Sequence, residues 1–592
     1  MALRDNVKNI LSSMILSHSG WRGIFAASGD EESKTEEISA AHKIIIAGAA
    51  AVFSEYFNKP SVLVGCDTRP TGKAIAEVLI RALEASGCPV RYAGITAAPE
   101  IAAWARTMDS NTGFIYITAS HNPVGHNGLK FGLTDGGVLS AEEASKLTVN
   151  FLSLMESPGG ISRLEQLPAN ANSGAIREIY AGEAAAKKEA LDAYFKFSMQ
   201  TAFNSEGNKH APAIPVGICC DFNGSARCVS IDRAFFAGLN IQFAALNAIP
   251  GDIVHCIVPE GNSLEPCRLF LEEMHSRDPV FVMGYVPDCD GDRGNLVIWD
   301  DTLQKARVLE AQEVFALACA SELAFMKQTE ELTHCEIPPL KPAVAVNDPT
   351  SLRIDRIAGA FRAPVFRAEV GEANVVNLAR KLRNEGYTVR ILGEGSNGGN
   401  ITHPSAMRDP LQTVLALVKF ISLRSAEDKT GLFEIWCKAS GYQYRPDFKL
   451  SDIIKSLPDF VTTAVHSPEA ILKITSTDHC AIKRKYQKIF IHQWEERKSE
   501  LAARYGIHRW EAAGYNGITE QKGIADFGTA GKGGLKICFF DTGDKTIASL
   551  WMRGSATEPV FRVMADAEGT DIQFERYLIE WQRSMVTEAD RS

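Results

Sequence analysis

The sequence predicts an α/β protein of four domains around a central cleft: three α/β domains with mixed, mostly parallel sheets of like topology, then an α+β domain. Three observations predict it. At 592 residues the chain is too long for one core, given roughly 150 residues per domain. The order strand, helix, strand, helix, strand recurs three times, which is the pattern of βαβ units. After about Ser425 that order stops and a long charged helical stretch precedes short strands.

In the first segment "SVLVGCD" reads as a buried strand, and "GKAIAEVLIRALEASG" sets Ile75, Val78, Leu79, Ala82 and Leu83 on one helical face. "PVRYAG", a helix from Pro99 and "TGFIYIT" complete it. The second runs through "AIPVGICCD", a helix over about Cys228 to Ala237, "NIQFAAL", a helix near "RLFLEEMHS" and "PVFVMGYV". The third runs through "PAVAVND", "SLRIDRIAGAF", "APVFRAEV", "ANVVNLARKLRNEG" and "YTVRILG". The last has a helix over Cys480–Tyr505, strands "GGLKICFFD" and "TIASLWMR", and a terminal helix "FERYLIEWQRSM". The expected domains are 1–205, 206–320, 321–430 and 431–592.

Four polar loops, "TASHNP", "DCDGDR", "GEGSNGG" and "RGSATEP", each follow a predicted strand, one per domain. Ligands of open α/β sheets bind outside the carboxyl ends of strands. One cleft lined by all four loops is the expectation.

A net charge of −10 argues against a generally nucleic-acid-binding surface. The 13 cysteines, without metal-type CxxC pairs, suit reduced thiols in a cytosol. No segment approaches the roughly 20 apolar residues that span a bilayer. "ILSSMIL" near the N-terminus is interrupted by serines and lacks a cleavage pattern, so no signal peptide is expected. These features predict a soluble, cytoplasmic protein with no nucleic-acid or membrane partner.

The loops carry the chemistry. In "TGFIYITASHNP", Ser120 follows a strand, but its flanks are not the G-x-S-x-G of a hydrolase elbow. In "PDCDGDRGN", Asp288, Asp290 and Asp292 alternate and can turn their carboxylates toward one point, which calls for a hard divalent cation. An EF-hand fails, because Arg293 and Trp299 stand where Gly and Glu belong. Mg²⁺ suits a site with few carboxylates and room for phosphate oxygens. The competing readings are a solvated acidic turn and a phosphatase with Asp288 as nucleophile. In "MRGSATEPVFRV", Arg553 and Arg562 bracket Ser555 and Thr557, an anion clamp with bidentate forks. Glu394 and Ser396 lie among glycines and suit sugar hydroxyls. Arg22 lies in the tight turn "HSGWRG", and Lys130, ten residues after Ser120, can reach back as a proton carrier or phosphate contact. Together these parts suit phosphoryl transfer on a sugar phosphate, with Ser120 carrying a phosphoryl rather than an acyl group.

In order and spacing, "TASHNP", "DCDGDR", "GEGSNGG" and "RGSATEPVFR" resemble the four signature loops of the α-D-phosphohexomutases, the phosphoglucomutase and phosphomannomutase superfamily; "SGWRG" and "VGCDTRPTG" resemble its N-terminal motifs. The resemblance runs from about Ser19 to Val563. It implies an isomerase with a phosphorylated Ser120 in the resting enzyme. Mg²⁺ would be held by Asp288, Asp290, Asp292 and a phosphoserine oxygen. It further implies reversible transfer between O1 and O6 of a hexose phosphate through a hexose 1,6-bisphosphate. The clamp would be Arg553, Ser555, Thr557 and Arg562, and Glu394 and Ser396 would read O3 and O4. Lys130, Arg22 and His121 are the acid/base and phosphate-contact candidates, and Arg293 would neutralise the transferring phosphate. A monomer or dimer is expected.

Departures bear on the sugar. Ala556 replaces the usual Gly of the clamp loop, and "TAAPE" near Thr96 is not the usual Thr-Pro. E-G-S-N-G is closer to the phosphoglucomutase style than to E-x-S-G-H, and His403 further along is an added contact candidate. The expected substrate is glucose 1-phosphate, with mannose phosphates also accepted. A phosphomannomutase and an amino-sugar mutase are same-class alternatives; a metal-dependent sugar phosphatase and a catalytically silent binding homologue are the others.

Overall fold

The computed structural model describes residues 2–17, 19–204, 214–332, 340–427, 429–554 and 560–592. The chain forms two compact units, residues 1–299 with 404–412 and residues 300–403 with 413–592.

The first unit opens with a hairpin, β1 (Ile15–Ser17) and β2 (Gly20–Ile24), followed by β3 (Ser61–Cys66), β4 (Val90–Ile95), β5 (Thr112–Ile117) and β6 (His126–Leu133). β3 is central, parallel to β4 on one side and to β5 on the other. β6 runs antiparallel to both β5 and β2, giving the order β1-β2-β6-β5-β3-β4. Every residue of β5 is buried, as its unbroken apolar run requires. The helix Gly72–Ala85 buries Ile75, Leu79, Ile80 and Leu83 into a core with Val62, Val64 and Ile115.

The arrangement repeats in β7 (Gly217–Asp221), β8 (Gln242–Leu246), β9 (Phe281–Pro287) and β10 (Gly294–Asp300). β7 is parallel to β8 and β9, and β10 is antiparallel to β9. Instead of one helix over 228–237 there is a 3-10 turn, Ala226–Val229, then a short helix, Asp232–Gly238. The break lies at Ser230, whose extended backbone sends its hydroxyl 2.8 Å to the buried Glu100 carboxylate. A short strand, β11 (Lys305–Val308), comes next in the chain.

The second unit holds the third repeat: β12 (Pro342–Asn347), β13 (Val365–Ala368), β14 (Thr388–Glu394) and β15 (Gly399–Thr402). β12 is parallel to β13 and β14, and β15 turns back antiparallel on β14. In each repeat the first strand is central and an antiparallel fourth strand follows the third. That fourth strand is what βαβ periodicity does not specify: a short hairpin turn returns the chain directly, whereas a parallel partner needs a crossover of a dozen or more residues. In the first sheet the antiparallel pairs therefore outnumber the parallel ones.

The rest of the second unit is α+β. β16 (Phe460–Thr462), β17 (Ile471–Lys473), β18 (Arg509–Asn516), β19 (Thr519–Lys522), β20 (Gly534–Phe540), β21 (Thr546–Gly554) and β22 (Val560–Glu568) form one antiparallel sheet. The helices His479–Tyr505 and Ile572–Arg591 contribute Tyr486, Phe490, Trp494, Leu578 and Trp581 to its core. Among the described residues no helix is long and apolar enough to cross a membrane.

Candidate functional site

In the first two repeats, the turn joining the third and fourth strands carries the predicted chemistry, and the two turns meet. Ser120, after β5, is buried and holds φ +53, a left-handed conformation that costs a non-glycine residue roughly 1–2 kcal/mol. Its Oγ donates to Asp288 Oδ2 at 2.9 Å and lies 3.4 Å from His121 Nδ1. The turn is held from below. Arg69 donates to the carbonyls of Ser120 (2.7 Å), Asn122 (2.6 Å), Pro123 and His126, and its Nε pairs with Asp67 at 3.2 Å. Thr118 Oγ1 accepts from the Ser120 N–H at 2.8 Å and donates to Asp67 Oδ2 at 2.7 Å. Strain at Ser120 persists because these bonds over-determine the turn.

Asp288, Asp290 and Asp292, all buried, each bring one carboxylate oxygen within 4.8 Å of the others. Asp290 Oδ1 and Asp292 Oδ1 have no hydrogen-bond partner. Two orphaned, buried carboxylate oxygens beside a third carboxylate fit a hard divalent cation such as Mg²⁺. Burial, with Asp290 and Asp292 adding to it, pushes Asp288 well above the usual carboxylate range. Burial would raise Asp292 too, but Arg408, Lys130 and Arg293 outweigh it and hold that group low.

Cations surround the cluster. Lys130, on β6, donates to Asp290 Oδ2 at 2.7 Å and Asp292 Oδ2 at 2.8 Å. Arg408 donates to Asp292 Oδ2 at 3.0 Å. Arg22, on β2, donates to Ser19 O at 3.2 Å, and burial followed by the Arg293 charge lowers its pKa. Arg293 gives its backbone N–H to Asp288 Oδ1, while its Nε is buried without a partner. The Arg293 charge, burial, Arg22 and Arg408 hold His121 neutral, well below the usual imidazole range.

Asp288 to Asp292 are positioned by a buried guanidinium. Arg227 pairs with Asp232 at 2.9 Å and Asp409 at 3.3 Å and donates to Gly291 O at 3.2 Å. Gly291 has φ +69, and a Cβ there would sit 2.5 Å from the Arg227 stem, so both backbone and packing demand glycine.

In the second unit the corresponding turn follows β14. Glu394 Oε1 accepts from Gly371 N at 2.8 Å and from Asn347 Nδ2 at 3.4 Å. Asn347 also donates to Ser396 Oγ at 3.0 Å, so the two hydroxyl-reading candidates share one amide. His403 follows β15 with its backbone tied to Arg390 in both directions, at 2.8 and 2.9 Å. Arg553 and Arg562 are direct cross-strand partners on β21 and β22. Arg553 pairs with Glu369 at 3.0 Å, and Arg562 donates to Val465 O at 3.1 Å. Ser555, Ala556 and Thr557 lie outside the described residues.

Sequence reading missed Asp67, Arg69, Thr118, Arg227, Asn347, Glu369 and Arg408 as site residues. Asp67 and Arg69 were in view within "VGCDTRPTG". Arg408 in "SAMRDP" carries no local signal, since its partner Asp292 is 116 residues away.

Residues 14–157 match the model of the phosphoglucomutase/phosphomannomutase alpha/beta/alpha domain I. A phosphoglucosamine mutase of Bacillus velezensis is 27% identical over 265 residues, 45% of this chain and 51% of the relative. One of Exiguobacterium sibiricum is 36% identical over 124 residues, 21% of this chain and 26% of the relative. The chain thus spans about half the length, or less, of these curated relatives. Among solved structures, a phosphoglucomutase/phosphomannomutase family protein of Burkholderia thailandensis aligns with TM-score 0.58 at 15% identity, over 97% of this chain and 98% of that one. The N-acetylphosphoglucosamine mutase of Aspergillus fumigatus, solved with GlcNAc-6P and magnesium, aligns with TM-score 0.51 at 12% identity, over 100% and 99%. These two likenesses extend the shared fold over nearly the whole chain, and within it residues 14–157 match the first domain of the phosphoglucomutase/phosphomannomutase family.

Proposed function

We propose that the protein is a phosphohexomutase that moves a phosphoryl group reversibly between O1 and O6 of a gluco-configured hexose phosphate. The observation that carries this reading is the contact of Ser120 with Asp288 beside two orphaned carboxylate oxygens. A serine placed there is suited to carry a phosphoryl group rather than to attack an ester.

Asp288, Asp290, Asp292 and an oxygen of phosphorylated Ser120 would hold Mg²⁺, which when bound neutralises phosphate charge. The phosphoserine P–Oγ bond breaks as a P–O bond forms to the free sugar hydroxyl, giving the hexose 1,6-bisphosphate. The hydroxyl proton passes to a base drawn from Lys130, Arg22 and His121. After the intermediate reverses its ends, the other phosphate returns to Ser120. Arg293 offsets charge on the transferring group. Glu394 and Ser396, with His403 nearby in sequence, read sugar hydroxyls; Arg553, Ser555, Thr557 and Arg562 hold the non-reacting phosphate.

The E-G-S-N-G loop favours glucose phosphates. A second reading, glucosamine phosphates, is favoured by the named relatives, which are phosphoglucosamine mutases. ³¹P NMR tests both, using the protein with Mg²⁺, catalytic glucose 1,6-bisphosphate, and the 1-phosphates of glucose, mannose and glucosamine in separate tubes. Growth of a 6-phosphate signal is expected, and the relative rates name the sugar. Growth of inorganic phosphate instead would sink the mutase reading in favour of a phosphatase.

A further inference from the structure

The clamp arginine Arg553 already has an anion. Its Nε and Nη2 both donate to Glu369 Oε1, at 3.1 and 3.0 Å. Glu369 is itself fixed at the tip of the β18–β19 hairpin: its N–H donates to Gly517 O at 2.8 Å, and its Oε2 accepts from Gly517 N at 2.9 Å. The pair is not sealed, with side-chain exposures of 27% for Arg553 and 17% for Glu369. An incoming ion can therefore reach it.

Two features give this pair a role beyond packing. Arg562 stands opposite Arg553 on the neighbouring strand, and like charges directly opposite repel. A carboxylate on Arg553 offsets that repulsion while no ligand anion is present. The edge that Glu369 occupies, Nε with Nη2, is also one of the forks that binds phosphate through two parallel hydrogen bonds. Carboxylate and phosphate therefore compete for the same donors.

We infer that Glu369 is a resident counter-ion of the clamp, displaced from Arg553 when a phosphate binds and restored when it leaves. The inference rests on the mutase reading and deepens it. A mutase passing through a bisphosphate must grip one phosphate, release it, and grip the other in a single turnover. A clamp of two unopposed guanidinium groups would hold the intermediate too tightly, and binding shared equally by ground state and transition state adds nothing to kcat. An internal competitor lowers that grip and supplies a partner for Arg553 at the moment of release.

The test is Glu369→Gln in the full chain, which removes the charge and keeps the side chain's size. Affinities for inorganic phosphate and glucose 1-phosphate are measured by calorimetry beside kcat, KM and Tm. Both ligands are expected to bind about tenfold tighter, with lower KM and lower kcat. Glu369→Asp, which keeps the charge on a shorter arm, is expected between the variant and the unaltered protein, and serves if the glutamine variant folds poorly. A purely structural role would instead lower Tm and leave both affinities unchanged or weaker, which overturns the inference while the mutase reading stands. Failure of the unaltered protein to bind any hexose phosphate overturns the mutase reading, and the inference with it.

Discussion

The Ser120 hydroxyl donates to Asp288 across 2.9 Å, so the proposed phosphoryl carrier and one proposed metal ligand are in contact before any phosphate is present. Ser120 also holds φ +53. Two substitutions separate chemistry from strain. Ser120→Ala and Ser120→Gly should both lose all mutase turnover and all phosphoprotein signal by mass spectrometry. The glycine variant should be the more stable of the two by about 1 kcal/mol in urea unfolding, since only glycine takes that conformation freely.

The three aspartates should behave as one binding unit. Mg²⁺ is expected to raise the Tm of the unaltered protein, and chelation to remove activity that added Mg²⁺ restores. Asp290→Asn should weaken Mn²⁺ binding, followed by electron paramagnetic resonance, by roughly tenfold or more, with little Mg²⁺-dependent gain in Tm left.

Arg227 should be among the most sensitive positions in the first unit. Arg227→Met leaves the buried Asp232 and Asp409 without their shared cation, a loss of about 3–5 kcal/mol of stability. Differential scanning calorimetry would show it as a large fall in Tm. A shift within error would mean that the three groups relax together.

Asp348 offers a pH test in the second unit. Burial raises its pKa to about 6, although a hydrogen bond from Trp551 and the charges of Arg553 and Lys536 oppose the shift. A carboxyl group whose folded pKa exceeds its unfolded value costs stability as it ionises. Stability should therefore fall between about pH 4 and pH 6, by about 3 kcal/mol from this group. Asp348→Asn keeps an acceptor for Trp551 and should flatten that part of the stability profile. An unchanged slope would assign it to other groups.

The proposed clamp arginines should not tolerate lysine. Arg562→Lys keeps the charge but loses the planar fork, and KM should rise roughly tenfold with Tm little changed. Equal KM would show that Arg562 acts only as a point charge.

Much of this was legible in the sequence, for identifiable reasons. The strand "TGFIYIT" is buried on both faces, so it had to be an unbroken apolar run. Asp288, Asp290 and Asp292 stand close in sequence, so their clustering was legible from local spacing, although Arg227 and Lys130, which fix it, were not tied to it there. What stayed hidden depends on distant partners. Arg69, seen only as part of a motif, supports a turn 51 residues away, and Glu369 meets Arg553 across 184 residues of chain. The antiparallel fourth strands escaped as well, because periodicity tells a strand from a helix but not its direction.

The hairpin that closes each of the three repeats has a consequence for how such a protein changes over time. The strand that leads into each tip is held by ladder bonds on both sides, while the tips run 118–125, 288–293 and 395–398. One tip bears Ser120, one the aspartates and one Ser396, after Glu394. The ladders are made of backbone bonds and do not depend on a tip's side chains, but side chains of the frame reach in to hold the first two tips, Arg69 on the carbonyl of Ser120 and Arg227 on that of Gly291. The first two tips are thus paired tools on matching handles: with Ser120 seated on Asp288, neither can be reshaped without refitting the other.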